Sequence, residues 1–578
     1  MFFLFRLKPK NYNLFASSLQ IMFFLFVLVI VAKLAQLQII DSSMLKEKAK
    51  LMRQPSRTFS FRGEIMDRNG IRLASDTTSY DIYAHPQYYT EKPEKIASIL
   101  SLYLKQPEKN LCEKLSKFDV STITIAKNID RNIVEKSIIP KIRELKIRGL
   151  DLVRRNERVY PQGNLASHIL GYVNIDANLF AGVEKTGSSD LETIPNIQPV
   201  EYDGKGNIIY DFHTDPNYVA FPLKGEKLVL TIDSSIQHVA ETELSKMMKK
   251  TKAERGTVIV LNPKNGEILG FAVLPSYNPN EYGKTKPSVM KNWVLSDVYP
   301  PGSTFKILTI ASALETGSIT KNEKLMDTGK VEIQGWTITN YDYYQKGAPG
   351  LIDLKYLFTH SSNVGSLKVA LKIPPYEHYR MLKLLGVGSK TGIDLPGESA
   401  GILPKLKNWD KATQATIGFG YSIATTPIQV ASMVAAIANN GIWITPHVIK
   451  YSQEEELKRI KTRRVLSTET TDIVTGLLTS SIKASESKAG KIPHYQVAGK
   501  TGTSRKPNPN GPGYIPNQVF TSFAGYFPAK NPQALIMVVV DNPKGSDIWG
   551  STVAGPVFNS VATEVARILN LEPDAAKS

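Results

Sequence analysis

The chain has 578 residues, enough for three or four units of about 100–200 residues each. With 42% hydrophobic and 21% charged residues it can bury large cores, which excludes a disordered or collagen-like chain. Lys and Arg number 71 against 53 Asp and Glu, a formal +18 that points to anionic partners, and a lone cysteine, Cys112, excludes an intramolecular disulfide and any multi-Cys metal site. Cys112 itself is expected to be a small buried apolar residue.

From Asn11 to Ala32 the chain carries no charge, and Arg6, Lys8 and Lys10 precede that stretch. About 20 apolar residues cross a bilayer, and flanking cations stay on the cytoplasmic side. Residues 1–10 therefore read as a cytoplasmic tail, 11–40 as a transmembrane anchor with a juxtamembrane helix, and the remainder as exported. A cleaved signal peptide would be shorter and end in a small-x-small site, and Val31–Gln36 offers no clean one. An exported chain meets little nucleic acid. The +18 then reads either as affinity for anionic lipid heads and wall polymers or as a generally solvated surface. Leu34, Leu37, Ile40 and Leu45 continue a helical spacing into a stalk.

Residues 54–75 alternate apolar and polar positions around Asp67-Arg68-Asn69-Gly70, the pattern of a β-hairpin. Residues 92–145 are Lys/Glu-rich with helical spacing and read as a solvated helical insert. Gly- and Asn-rich stretches over 178–215 read as loops. Asp233 caps a helix predicted over Ser234–Lys250. Gly256–Leu261 and Glu267–Val273 flank Asn262-Pro-Lys-Asn-Gly266, a second hairpin; Phe520–Tyr526 and Ala534–Val540 read as strands, and residues 556–570 as an amphipathic helix. Arg505–Asn517 is too rich in Pro and Gly for regular structure. It is expected to be a long mobile loop bordering the site, with Tyr514 as a ligand contact.

The chemistry concentrates in three short segments. Ser303 and Lys306 sit at the start of the apolar run Ile307–Leu314, which Gly317 closes, so both lie on one face of a helix N-terminus. A serine hydroxyl needs a nearby base, and a lysine serves if burial and neighbouring cations keep it neutral. The helix start adds free N–H groups for a developing oxyanion. His360-Ser361-Ser362-Asn363 supplies a second hydroxyl and an amide. Ala498-Gly499-Lys500-Thr501-Gly502-Thr503 supplies a cation and hydroxyls suited to a terminal carboxylate, on a strand that glycine opens to close approach. Ser-x-x-Lys, Ser-x-Asn and Lys-Thr-Gly in this order form the set found in class A β-lactamases and penicillin-binding proteins.

Nearly the whole chain resembles a class B penicillin-binding protein of the FtsI type, a monofunctional peptidoglycan D,D-transpeptidase. Beyond the three segments, the likeness is carried by Arg62-Gly63-Glu64-Ile65-Met66-Asp67-Arg68-Asn69-Gly70, Arg158-Val159-Tyr160-Pro161, Gly171-Tyr172-Val173 and Gly182-Val183-Glu184-Lys185. It is carried further by Tyr299-Pro300-Pro301-Gly302, Ile417-Gly418-Phe419-Gly420-Tyr421-Ser422 and Thr425-Thr426-Pro427-Ile428-Gln429. The resemblance implies an α+β fold: one N-terminal transmembrane helix, an extended mixed pedestal over residues 41–225, and a transpeptidase domain over 226–578 with an antiparallel sheet flanked by helices.

It also implies roles. Ser303 is the nucleophile acylated by a stem peptide, Lys306 takes its proton, Ser361 relays a proton, and Asn363 holds a substrate amide. Lys500, Thr501, Gly502 and Thr503 handle the substrate carboxylate, and the N–H groups of Ser303 and Thr503 form an oxyanion hole. No metal or cofactor is implied, and the eight histidines read as structural. The implied partners are peptidoglycan stem peptides, β-lactams, a multipass membrane glycan polymerase and other division proteins. The implied place is the cytoplasmic (inner) membrane, single-pass, with the catalytic domain outside the cytoplasm. Septal wall synthesis is the favoured role; an elongation enzyme and a non-enzymatic division scaffold are the alternatives.

Overall fold

The structure is a computed structural model that describes residues 9–46, 54–57, 61–174, 179–192, 197–202, 208–209, 224–511 and 513–574. It divides into two compact units. The first comprises residues 1–61 and 193–224, the second residues 62–192 and 225–578.

In the first unit helix α1 (Pro9–Ala35) runs into a π-helical turn, Gln36–Ile40. Ala16–Ile40 spans 25 residues and contains an 18-residue window of mean hydropathy 2.4, long and apolar enough to cross a membrane. The same unit holds a three-stranded sheet in which Gln54–Arg57 pairs antiparallel with Ile197–Tyr202, which pairs with Ile208–Ile209. Gln54–Arg57 therefore lies outside the predicted hairpin, and strands occupy part of the stretch read as loop.

The second unit opens with the hairpin itself, strands β1 (Ile65–Met66) and β2 (Arg72–Ala84). Its turn forms because the Asp67 carboxylate accepts from Asn69 N–H at 2.9 Å and Ile71 N–H at 2.8 Å, while Gly70 takes the left-handed φ of +84°. The predicted helical insert is α2 (Pro93–Leu104), α3 (Glu108–Leu115) and a last helical stretch over 131–144, interrupted by strand β3 (Ile123–Asp130). β3 pairs with β2, and so does β4 (Leu150–Val159). Its alternation is short and lies among Lys-rich helical periodicity, which hid it from the sequence. Cys112 on α3 is half-buried rather than buried, with Sγ 4.0 Å from the Ser116 hydroxyl. Short helices at Gly182–Thr186 and Ser188–Leu191 replace another part of the expected loop.

Three dispersed pedestal motifs meet at one buried carboxylate. Glu184, fully buried, accepts from Arg62 Nε and Arg158 Nε, both at 2.7 Å, and from the Tyr160 hydroxyl at 3.2 Å. Arg158 Nη1 also reaches Asp76 at 3.0 Å and the Gly63 carbonyl at 2.8 Å. The hairpin turn then grips the next domain: Asp67 accepts from Ser234 N–H at 3.1 Å, and Asn69 donates to Asp233 at 2.9 Å. Asp233 meanwhile caps helix α4 (Ser234–Thr251) through the N–H groups of Ser235 and Ile236.

The C-terminal portion is built on one antiparallel sheet. Its strands β5 (Arg255–Leu261) and β6 (Ile268–Leu274) are the predicted second hairpin. Helix α5 (Lys306–Glu315) follows a single 3₁₀ turn, Gly302–Phe305; strand β7 (Lys324–Asp327) and helix α6 (Asn363–Lys372) come next. The chain continues through helices α7 (Pro427–Ala438) and α8 (Thr468–Ala484) to strands β8 (Ala498–Pro507), β9 (Tyr514–Phe527) and β10 (Ala534–Asp541). It closes with helix α9 (Gly555–Ile568). Strand order is β6-β5-β10-β9-β8, leaving β8 at an edge. Period-two alternation divides β10 between two cores. Leu535, Met537 and Val539 pack on the side of α5 and α7, while Ile536, Val538 and Val540 pack on the side of α4 and α9.

The expected long loop after β8 is largely absent. β8 runs to Pro507 and β9 begins at Tyr514, leaving six residues, 508–513, as the connection. A register shift between Arg505 and Pro507 accommodates the prolines, and this end of β9 extends beyond its pairing with β10, so proline removes no needed ladder bond there.

Removing one partner of a buried ion pair strands the others. Glu184→Ala is expected to lower stability by about 3–5 kcal/mol in denaturant unfolding. Glu192→Ala, which removes a carboxylate on the exposed side of Arg62, is expected to cost less than about 1 kcal/mol. Equal effects would contradict this reading of the pedestal.

Candidate active site

The turn that carries Ser303 is held from three directions. Tyr299 and Thr425 exchange backbone hydrogen bonds, both at 2.9 Å. Gly302 adopts a left-handed φ of +58° and donates to the Gly420 carbonyl at 3.2 Å; a Cβ on Gly420 would lie 2.3 Å from the Gly302 carbonyl oxygen. The Ser504 hydroxyl, on β8, donates to the Pro300 carbonyl at 2.7 Å. These contacts explain why segments far apart in sequence, around 300, 420 and 504, are specified together.

Ser303 faces a cavity of about 460 Å³, which Ser361, Asn363, Lys500, Thr501 and Thr503 also line. Lys306 lies fully buried one helical turn on from Ser303. Its Nζ donates to the Ser361 carbonyl at 2.5 Å and to Asn363 Oδ1 at 2.9 Å, and lies 3.2 Å from the Ser361 hydroxyl, which can donate to a neutral amine. Burial, reinforced by the Lys500 charge, pushes the Lys306 amine well below the ordinary lysine range, and Asp327 opposes that shift. Lys500 is almost fully buried, bonds the Thr501 carbonyl at 3.2 Å, and is brought down by burial to about 8.

The Ser361–Asn363 turn carries a left-handed residue, Ser361, at φ +52°. Asn363 Nδ2 donates to the Thr339 carbonyl at 2.9 Å, so its Oδ1 is turned toward Lys306. On β8, Thr503 Oγ1 accepts from Gly550 N–H at 3.0 Å and keeps its own proton for donation. Gly502 does not line the cavity: a Cβ there would lie 2.4 Å from Ser522 Oγ and 3.0 Å from Thr304 Cγ2. Glycine is therefore demanded by the packing of β8 against the turn that carries Ser303, not only by access. All eight sequence-predicted site residues thus meet at one place, six on the cavity wall and Lys306 and Gly502 behind it.

Other parts of the cavity were missed. Tyr421 and Trp549 line it, as does Tyr341, whose ring lies 6.1 Å from that of Trp549. Tyr421 stands in a segment already singled out, whereas nothing local marks Trp549 or Tyr341. Tyr514 is not among the lining residues; it meets Tyr421 edge-on at 5.6 Å, behind the wall. His360 lines the cavity, stacked on Tyr356. His168 and His378 fit the structural reading of the histidines: both are buried, and burial brings each imidazole down to about 4.

Chemically, the cavity presents a serine at a helix start, a buried amine one turn away, a hydroxyl and amide bonded to that amine, and a second amine with hydroxyls along an edge strand. That is the equipment of acyl transfer through a covalent serine ester. The chain is similar to known proteins along most of its length. The profile described as penicillin binding protein transpeptidase domain matches residues 256–563, and that described as penicillin-binding protein dimerisation domain matches residues 58–230. The peptidoglycan D,D-transpeptidase FtsI homolog of Mesostigma viride is 33% identical, covering 96% of this chain and 95% of the relative. Escherichia coli K12 peptidoglycan D,D-transpeptidase FtsI is 29% identical over 94% of this chain and 90% of its own length, and Bacillus subtilis stage V sporulation protein D 31% identical over 89% and 79%. Among solved structures, penicillin binding protein 2X from Streptococcus thermophilus superposes with a TM-score of 0.70 at 23% identity, covering 89% of this chain and 80% of that one. Penicillin binding protein 3 from Mycobacterium tuberculosis, complexed with aztreonam, gives 0.65 at 23% identity over 90% and 98%. The chain belongs to the class B penicillin-binding proteins and is a peptidoglycan D,D-transpeptidase.

Proposed function

We propose that this enzyme cross-links stem peptides of the septal wall through an acyl-enzyme on Ser303, and that β-lactams inhibit it by acylating the same hydroxyl. The observation that carries the reading is the buried Lys306 amine, one turn from Ser303 and bonded to Ser361 and Asn363. Ser303 Oγ attacks the carbonyl carbon of the penultimate D-alanine while Lys306 Nζ takes the hydroxyl proton. The N–H groups of Ser303 and Thr503 receive the oxyanion. As the C–N bond breaks, Ser361 passes a proton to the departing D-alanine amine. Lys500, Thr501 and Thr503 hold the terminal carboxylate during this step, and Asn363 holds a substrate amide. An amine of a second stem peptide then attacks the ester, the proton returns to Ser303, and the cross-link is released.

The septal role rests on likeness to relatives named FtsI. In this reading residues 41–225 form the pedestal and 226–578 the transpeptidase domain. The N-terminal helix anchors the chain in the cytoplasmic membrane with the catalytic portion outside, where a multipass glycan polymerase and other division proteins are its partners. A reporter fused after residue 45 is expected to be active only outside the cytoplasm; activity inside would reverse the topology.

Full-length protein in detergent, incubated with penicillin and digested for mass spectrometry, is expected to carry its adduct on Ser303, and Ser303→Ala to carry none. An adduct on Ser361 would overturn the assignment. Guanidinium stays protonated, so Lys306→Arg is expected to slow acylation by about 10²–10⁴-fold. A rate within threefold of wild type would mean that another group takes the proton.

A further inference from the structure

The roles assigned above leave a fully buried carboxylate beside the site unused. Asp327, at the end of β7, is fully buried, and among the described residues it forms no ion pair with a lysine or arginine. Three neutral groups satisfy it: Gly329 N–H at 2.8 Å, Asn340 Nδ2 at 3.0 and 2.9 Å to its two oxygens, and the Ser362 hydroxyl at 2.5 Å. A buried carboxylate without a cation is costly, and the same fold can be held by neutral groups at less cost.

Its bonds lead to the catalytic turn by two routes. The Ser362 hydroxyl, fixed by donating to Asp327, accepts from Gly365 N–H at 2.7 Å and so caps α6. The Asn340 amide, with Nδ2 committed to Asp327, turns Oδ1 toward Asn363 N–H at 2.9 Å and Val364 N–H at 3.1 Å. Both routes pin the turn that holds Ser361 in its left-handed conformation. That turn supplies all three hydrogen-bond partners of Lys306 Nζ.

We propose that Asp327 is a positioning residue for acylation: through Ser362 and Asn340 it locks the Ser361–Asn363 turn onto Lys306. Of the charged groups that act on Lys306, Lys500 on β8 favours the neutral amine and Asp327 on β7 favours the ammonium. The carboxylate thus does two separable things. It fixes geometry through hydrogen bonds, and it raises the proton affinity of the amine through charge. Nothing in the sequence around Asp327 marks it, because the partners lie 13 and 35 residues away. The inference rests on the reading of Lys306 as the base.

The test is the second-order rate of penicillin acylation across pH, measured on full-length wild type, Asp327→Asn, Ser362→Ala and Lys306→Arg, with the thermal midpoint of each. Ser362→Ala keeps the charge and loses a route, so it is expected to slow acylation by about tenfold to a hundredfold with the acid limb unmoved. Asp327→Asn removes the charge that favours the ammonium, so its acid limb is expected to move to lower pH while the plateau rate falls. Rates within threefold of wild type in both variants, with an unmoved limb in Asp327→Asn, overturn the proposal. If Asp327→Asn does not fold, Ser362→Ala decides alone: a rate within threefold of wild type overturns the proposal, and a slower rate at an unchanged midpoint supports it. Lys306→Arg separates the two readings, because near-normal acylation there removes the base, whereas loss there with normal Asp327→Asn and Ser362→Ala removes only Asp327.

Discussion

A primary amine held in a dry pocket is the constraint around which the rest of this molecule is arranged. Lys306 is fully buried, bonded to Ser361 and Asn363, and faces a second buried lysine, Lys500. Burial and the neighbouring cation both favour its neutral form. Between its lowered value and 10.5, the unfolded chain binds a proton at this lysine that the folded chain lacks. Its burial therefore costs stability through the neutral range, and the cost fades only as pH rises toward 10.5. The large two-sided sheet core offsets that cost and keeps a strained, electrostatically unfavourable site in one geometry.

The remaining architecture serves to hold parts from distant segments at that amine. The turn that carries Ser303 leans on the backbones of Gly420 and Thr425 and on the Ser504 hydroxyl. Edge strand β8 leans on the turn, which is why Gly502 admits no side chain. The pedestal is fastened by its own buried hub, Glu184 with Arg62 and Arg158, and reaches α4 through the hairpin turn at Asp67. Position in this enzyme is thus set mainly by backbone contacts and buried charges.

Much of this was legible in the residues. Ser303, Lys306, Ser361, Asn363 and Lys500 announce themselves because each lies in a short segment whose local structure, helix start, turn or strand, is fixed by its neighbours. The hairpins at 65–84 and 255–274 were legible for the same reason, through Asn-Gly turns between alternating strands. What escaped depends on partners far away in sequence. β3 is a strand because β2 offers it an edge, not because its own composition demands one. The prolines around 507 and 516 read as loop, yet the unpaired side of the sheet edge accepts them. Asp327, Tyr341 and Trp549 reach the site only through tertiary folding, and Gly502 proved to be needed for a close approach within the protein.

The most direct test of this account is the pH dependence of the second-order rate at which penicillin acylates the full-length wild-type enzyme, because that rate reports the free enzyme's titrating groups. A neutral Lys306 base and a charged Lys500 carboxylate anchor predict a bell. Its acid limb lies well below the ordinary lysine value of 10.5, and its alkaline limb lies near 8, where Lys500 loses its proton. A rate that instead climbs steadily through pH 10 would mean that Lys306 is an ordinary ammonium in the resting enzyme, and would contradict the account at its centre.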